Sequence, residues 1–227
     1  MRRLTSPTRR LRAWAVSRAD NPRPAFIVSL NWVDLLTLGS LGLACLGLLA
    51  ALNDRLSLAT AIMLMAFLTD ILDGALARRF GHTTELGRYL DSFGDVVTYL
   101  LLPLFVLYQF GLRDPLSLAV LFGYLAAGVL RLARFNVAGV MADEDGLYYL
   151  GLPVIWSHLL VVLAFPLWHW WGVAARYPIL LALVMMSVYM LRNFRFRKPT
   201  GYVRLGLLLL SIAALYTYLH FAGVLVP

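Results

Sequence analysis

The sequence predicts an all-α, polytopic membrane helical bundle of six to seven transmembrane helices, and three observations carry that prediction. Of the 227 residues, 61% are hydrophobic and only 14% are charged, whereas an ordinary soluble domain carries about 25% charged residues. Apolar runs recur at roughly 33–52, 57–78, 86–110, 115–136, 152–172, 176–191 and 203–223, most of them near the ~20 residues that cross a bilayer. The basic residues fall on alternate connections. With the N-terminus in the cytoplasm, 17 of the 20 lie on the inner side and only Arg55, Arg113 and Arg176 on the outer side, which is the positive-inside bias. The net charge of +8 is then explained by anionic lipid headgroups, and no nucleic acid partner is needed.

Two segments follow from this division. Residues 1–30 form a basic cytoplasmic juxtamembrane segment, with seven Arg and one acid, Asp20. Leu11, Trp14 and Ala15 supply an apolar side for the membrane surface. An Arg-rich, acid-poor start also fits an organelle targeting peptide. Residues 31–227 form the transmembrane domain. The single cysteine, Cys45, lies in an apolar run and reads as a small packing residue.

The first span opens with Asn31, suited to cap a helix, and holds Thr37, suited to bond back to its own helix. Asp34 between them has no assigned partner. Asn53-Asp54-Arg55 reads as an outer turn, and so does Gly111-Leu112-Arg113-Asp114-Pro115 before the fourth span. That span ends in Arg131-Leu132-Ala133-Arg134-Phe135-Asn136, with the two Arg three apart on one face. They suit phosphates or a carboxylate, or they snorkel to headgroups. Asp143-Glu144-Asp145-Gly146 reads as a solvated inner loop. His158 in the fifth span reads as bonded to a neighbouring helix. Trp168, Trp170 and Trp171 mark an interfacial belt. Arg192 to Lys198 reads as a basic, aromatic loop on anionic lipid.

The second and third spans hold the chemistry. Asp70, Asp73, Asp91 and Asp95 stand in otherwise apolar sequence, where an unpaired charge is costly and marks a function. Asp70 and Asp73 are three apart and Asp91 and Asp95 four apart, so each pair shares one helix face. Gly81 ends one helix and Thr83 or Thr84 opens the next. Asp73 lies eight residues before Gly81 and Asp91 ten after it, so both pairs sit at similar depth below the turn. Four converging carboxylates need cations to share them. Hard oxygen ligands favour Mg²⁺ or Mn²⁺, and four acids on two helices suit a pair of ions clamping a phosphate chain. Small residues at Gly74 and Ala77 permit close approach, and Arg78 one turn beyond Gly74 suits a phosphate. An intramembrane salt-bridge network explains the charges but not the whole pattern. A cation channel would spread polar residues over several spans, and these acids are confined to one hairpin.

The run Asp70-x-x-Asp73-Gly74-x-x-Ala77-Arg78, followed after eight residues by Gly87-x-x-x-Asp91-x-x-x-Asp95, resembles the signature of the CDP-alcohol phosphatidyltransferases. The resemblance implies transfer of the phosphatidyl group of CDP-diacylglycerol to a small polar alcohol, with CMP released. Two divalent cations, Mg²⁺ or Mn²⁺, would be held by Asp70, Asp73, Asp91 and Asp95, with Asp95 also the base. Gly74, Ala77, Arg78 and Gly87 would bind substrate, as would Asn31 and Thr37 near the nucleotide. It further implies a homodimer, and the basic bias places the hairpin's turn on the cytoplasmic side, so an active site facing the cytoplasm from the cell (inner) membrane is expected. The Arg131 to Asn136 run and Gly151-Leu152-Pro153 are similar to the serine-using members, so serine is the first expected acceptor, with Arg131, Arg134 and Asn136 near it. Glycerol 3-phosphate, inositol phosphate and choline are the alternatives. The chain departs from the serine-using members at Val154-Ile155-Trp156-Ser157-His158, where small residues and Pro are usual.

Overall fold

A computed structural model describes residues 30–82, 84–139, 141–143, 146–197 and 202–221. Residues 1–29, Thr83, Glu144, Asp145 and Lys198 lie outside them, so the expected basic juxtamembrane segment is not described. The helices are α1 (Trp32–Leu52), α2 (Leu56–Phe80), α3 (Glu85–Asp95), α4 (Leu102–Gln109), α5 (Pro115–Ala138), α6 (Trp156–Trp171), α7 (Arg176–Leu191) and α8 (Tyr202–Phe221). Helices α3 and α4 form one rod, joined without a break by a π-helical turn, Val96–Leu101.

Local sequence sets the helix ends. Asn31 accepts from the amides of Val33 and Asp34, both at 2.9 Å, while Asp34 accepts from the Asn31 amide. This reciprocal capping box starts α1 and gives Asp34 its partner. Gly81 closes α2 in the left-handed region, at φ 70°, where a side chain would be strained. Thr84 then caps α3 by accepting from Gly87 N at 2.9 Å. Asp114 accepts from Ser117 N ahead of Pro115, the first residue of α5. Hydrogen bonds from Ser117 hold the Asp114 carboxyl below its usual range.

Five helical runs among the described residues are long and apolar enough to cross a membrane: Trp32–Leu52, Leu56–Phe80, Glu85–Gln109, Pro115–Ala138 and Trp156–Leu191. The expected six to seven are not reached by this measure. Helices α6 and α7 have 16 residues each and meet through a 3₁₀ turn, Gly172–Ala175, and the apolar part of α8 is Leu208–Thr217. The 156–191 run nevertheless folds back on itself, because Leu152 N, just before α6, donates to Tyr189 O near the end of α7 at 3.1 Å. At the opposite end Arg176 pairs with Asp114 at 3.8 Å, so α5 and α7 start together.

A small antiparallel sheet, order β1-β2-β3, replaces two expected loops: β1 is Met141–Asp143, β2 Gly146–Leu150 and β3 Arg195–Arg197. Tyr148 pairs with Arg197 and Leu150 with Arg195. Short stretches rich in aromatic residues favour such strands, and charge alone concealed them. The core centres on α2, where Met63, Leu64, Ala66 and Phe67 are fully buried against Leu100, Leu102, Val106 and Val161. Cys45, expected to pack, is exposed on α1, a face that lipid would cover.

Candidate active site

Three of the four predicted acids meet. Carboxylate oxygens of Asp70, Asp91 and Asp95 lie within 4.8 Å of one another, in the wall of a cavity of about 550 Å³. Asp70 comes from α2 and the other two from α3, so the hairpin expected from spacing brings them together. Asp73, the fourth, is buried beside Thr37 of α1, and its Oδ2 has no hydrogen-bond partner among the described residues. It lies about 60° round α2 from Asp70 and is not among the residues that line the cavity; the packing of α1 against α2 puts Thr37 beside it.

Like charges this close repel strongly in a poorly solvated setting unless a cation or a proton is shared. No Arg or Lys forms an ion pair with them within 4.0 Å among the described residues. Three clustered hard oxygen donors, with a partnerless buried carboxylate oxygen on the next turn of α2, fit a divalent cation.

The remaining predicted residues divide by location. Gly74 and Arg78 line the cavity, and Arg78 folds back over Gly74, its Nη1 3.4 Å from where a Cβ would stand. Arg131 also lines it, although only 8% exposed. Its guanidinium lies 5.5 Å from the Phe135 ring centre, and Nε has no partner among the described residues. Arg131 forms part of a second, smaller cavity of about 140 Å³ as well, where Arg134, Arg192 and Asn193 join it. Burial of a guanidinium between two cavities departs from the snorkelling alternative.

Other predicted residues have structural contacts. Asn31 caps α1, as described above. Thr37 bonds back to Val33 O at 3.3 Å and also faces Asp73. Ala77 O accepts from the amides of Gly81 and His82 at the helix end. Gly87 packs against Asp34, whose Oδ1 would stand 2.9 Å from an added Cβ. Asn136 accepts from Ser92 Oγ at 3.0 Å and so ties α5 to α3. Gly151 has φ +75°, and a Cβ there would meet Met190 O at 2.5 Å. The glycine of Gly151-Leu152-Pro153 therefore serves a backbone crossing, while Pro153 lines the large cavity.

Sequence reasoning missed several lining residues. Tyr99 donates to Asp70 Oδ2 at 2.6 Å; it lies four residues past Asp95 and eight past Asp91, a helical repeat that was available as a signal. Ala75, Tyr149, Trp156 and Phe196 also line the cavity, and Leu205, Leu208, Leu209 and Ile212 of α8 supply an apolar side. Neither set had a sequence signal, since strand and helix neighbours arise only on folding. His158 is buried, with its ring 4.8 Å from that of Tyr99 and 5.6 Å from that of Phe67.

Residues 30–226 match the family model described as CDP-alcohol phosphatidyltransferase. The chain is 28% identical over 193 residues to a CDP-diacylglycerol–serine O-phosphatidyltransferase of Helicobacter pylori, covering 80% of this chain and 79% of that one. Another protein of that name, from Methanocaldococcus jannaschii, is 33% identical over 141 residues, or 62% of this chain and 65% of its own, just under two thirds of its length. A phosphatidylcholine synthase of Pseudomonas aeruginosa is 28% identical over 199 residues, covering 86% of this chain and 78% of that one.

Proposed function

This chain belongs to the CDP-alcohol phosphatidyltransferase family, and from that premise we propose that it moves the phosphatidyl group of CDP-diacylglycerol onto a small polar alcohol, serine first, with release of CMP. The observation that carries the reading is the meeting of Asp70, Asp91 and Asp95 within 4.8 Å, in a cavity polar at these acids and apolar along α8. A lipid-linked diphosphate has the same division, with charge at one end and acyl chains at the other.

Asp70, Asp91 and Asp95, with Asp73 one turn along α2, would hold a pair of divalent cations, Mg²⁺ or Mn²⁺. Such ions would supply positive charge that neutralises the diphosphate and the departing phosphate. Arg78, folded over Gly74, binds donor phosphate, with Gly74 leaving room for the nucleotide. Asp95 takes the proton of the acceptor hydroxyl as its oxygen bonds to the phosphatidyl phosphorus and the bond to CMP breaks. A carboxylate is a weak base for a free alcohol, but transfer becomes easier as the new bond forms. The α8 leucines keep the acyl chains out of water. Arg131 pairs with the carboxylate of serine, which its buried, underused guanidinium supports. The working form is a homodimer in the cell membrane, with the site facing the cytoplasm; the basic bias supports that orientation.

Choline is the second acceptor reading. The relative named phosphatidylcholine synthase covers 86% of this chain, and Trp156 and Phe196 line the cavity, packed edge to face with ring centres 6.2 Å apart; an aromatic wall of this kind suits a quaternary ammonium.

The test is purified protein with CDP-diacylglycerol, Mn²⁺ or Mg²⁺, and serine, choline, glycerol 3-phosphate or inositol phosphate in parallel, scoring CMP and the lipid made. Metal-dependent CMP release with phosphatidylserine as product is expected. Release with choline alone moves the assignment to the second reading, and no release with any acceptor overturns both.

A further inference from the structure

We infer that Tyr99 is a positioning residue that sets the orientation of the Asp70 carboxylate for a divalent cation. The inference rests on the proposed function only for the identity of the ion.

A carboxylate turns about its last torsion with little preference, so an acid that must share an ion with two others gains from having one oxygen fixed. The Tyr99 hydroxyl supplies that constraint, donating to Asp70 Oδ2 at 2.6 Å. The donor itself is held. Tyr99 is 4% exposed, with its ring edge-on to Phe67 at 6.1 Å and 4.8 Å from His158.

The backbone is adapted to the same end. Directly after Asp95 the helix widens into the π turn Val96–Leu101, whose closing bond runs from Leu102 N to Val97 O, five residues back. Each α-helical residue advances about 100° around the axis, so positions four apart drift steadily across the face. The wider turn advances each residue less, and Tyr99 lines the same cavity as Asp91 and Asp95. A Cβ on Gly128 of α5 would lie 2.3 Å from Leu100 Cδ2, so the bare glycine gives the widened turn its space. An irregular turn, a glycine cleared for it and a buried hydroxyl on a site acid together exceed what satisfying one carboxylate requires.

The test compares Tyr99→Phe with the unsubstituted full-length protein in lipid nanodiscs. Mn²⁺ binding is read from the free-ion electron paramagnetic resonance signal with no lipid substrate present, and CMP release is then followed against Mn²⁺ concentration. Loss of a group that orients a ligand weakens metal binding by about 10–100-fold. The expected result is Mn²⁺ binding weaker by at least tenfold, a matching rise in the Mn²⁺ needed for half-maximal rate, and an unchanged KM for CDP-diacylglycerol at saturating Mn²⁺. Phe67→Leu serves as control, since it loosens the packing around Tyr99 but keeps the hydroxyl, and it should leave Mn²⁺ binding within twofold. Equal Mn²⁺ affinity in Tyr99→Phe, an equal loss in Phe67→Leu, or no Mn²⁺ bound by the unsubstituted protein would each overturn the inference. Normal metal binding without CMP release in any mixture would instead count against the proposed function and leave the role of Tyr99 standing.

Discussion

Gly87 and Asp34 are in direct contact across α3 and α1: a Cβ on Gly87 would lie 2.9 Å from Asp34 Oδ1 and 3.0 Å from Thr84 Oγ1. Asp34 is fixed by the capping box that starts α1, and Thr84 is fixed by capping α3, so neither can yield without loss. Gly87→Ala should therefore destabilise the protein by about 1–3 kcal/mol through overpacking, seen as a lower thermal midpoint in detergent. A variant that keeps its midpoint but binds donor more weakly would show that Gly87 contacts substrate instead.

Asp95 is proposed to take the proton, and general-base contributions run to about 10²–10⁴-fold. Asp95→Asn should lower CMP release by at least about a hundredfold with the midpoint unchanged or raised, since it removes one of three clustered charges. Asp91→Asn and chelation of divalent ions should abolish release too. Full activity in either variant, or activity in excess chelator, contradicts the mechanism.

Arg131 and Arg134 are three apart in sequence, yet only Arg131 lines the large cavity, while both line the small one. Arg131→Ala should raise the KM for serine about tenfold or more, as expected for loss of a charge-assisted contact. Arg134→Ala should change it less than threefold, a free-energy change of under about 0.7 kcal/mol. Equal effects from the two substitutions would show that the two cavities act as one.

Ser92 donates to Asn136 at 3.0 Å and joins α3 to α5 behind the carboxylates. Asn136→Ala should cost about 0.5–1.5 kcal/mol in stability and leave the preference among acceptors unaltered. A changed ratio of phosphatidylserine to phosphatidylcholine formed, with stability intact, would place Asn136 in the acceptor site.

Gly151→Ala combines a strained φ of +75° with a 2.5 Å approach to the Met190 carbonyl, and backbone cannot swing aside as a side chain can. Poor folding yield is expected, with Leu152→Val as a tolerated neighbouring control. Normal yield of Gly151→Ala would remove the proposed reason for this glycine.

By itself the sequence determined the membrane-type helices, the hairpin at Gly81 and the meeting of Asp70 with Asp91 and Asp95, because helical period and chain reach are local properties. The capping by Asn31 and Thr84 was equally legible, since a cap involves only residues next to it. Only tertiary structure decided that Asp73 turns toward Thr37, that Gly87 and Gly151 make room for neighbouring segments, and that Asn136 joins two helices. Spacing puts Tyr99 near the face of Asp91 and Asp95, but its bond to Asp70 comes with a π turn that no residue pattern announces, and only folding gathered β2, β3 and α8 around the cavity. Each of these depends on which distant segment packs alongside, and one chain's periodicity holds no record of its neighbours across the bundle.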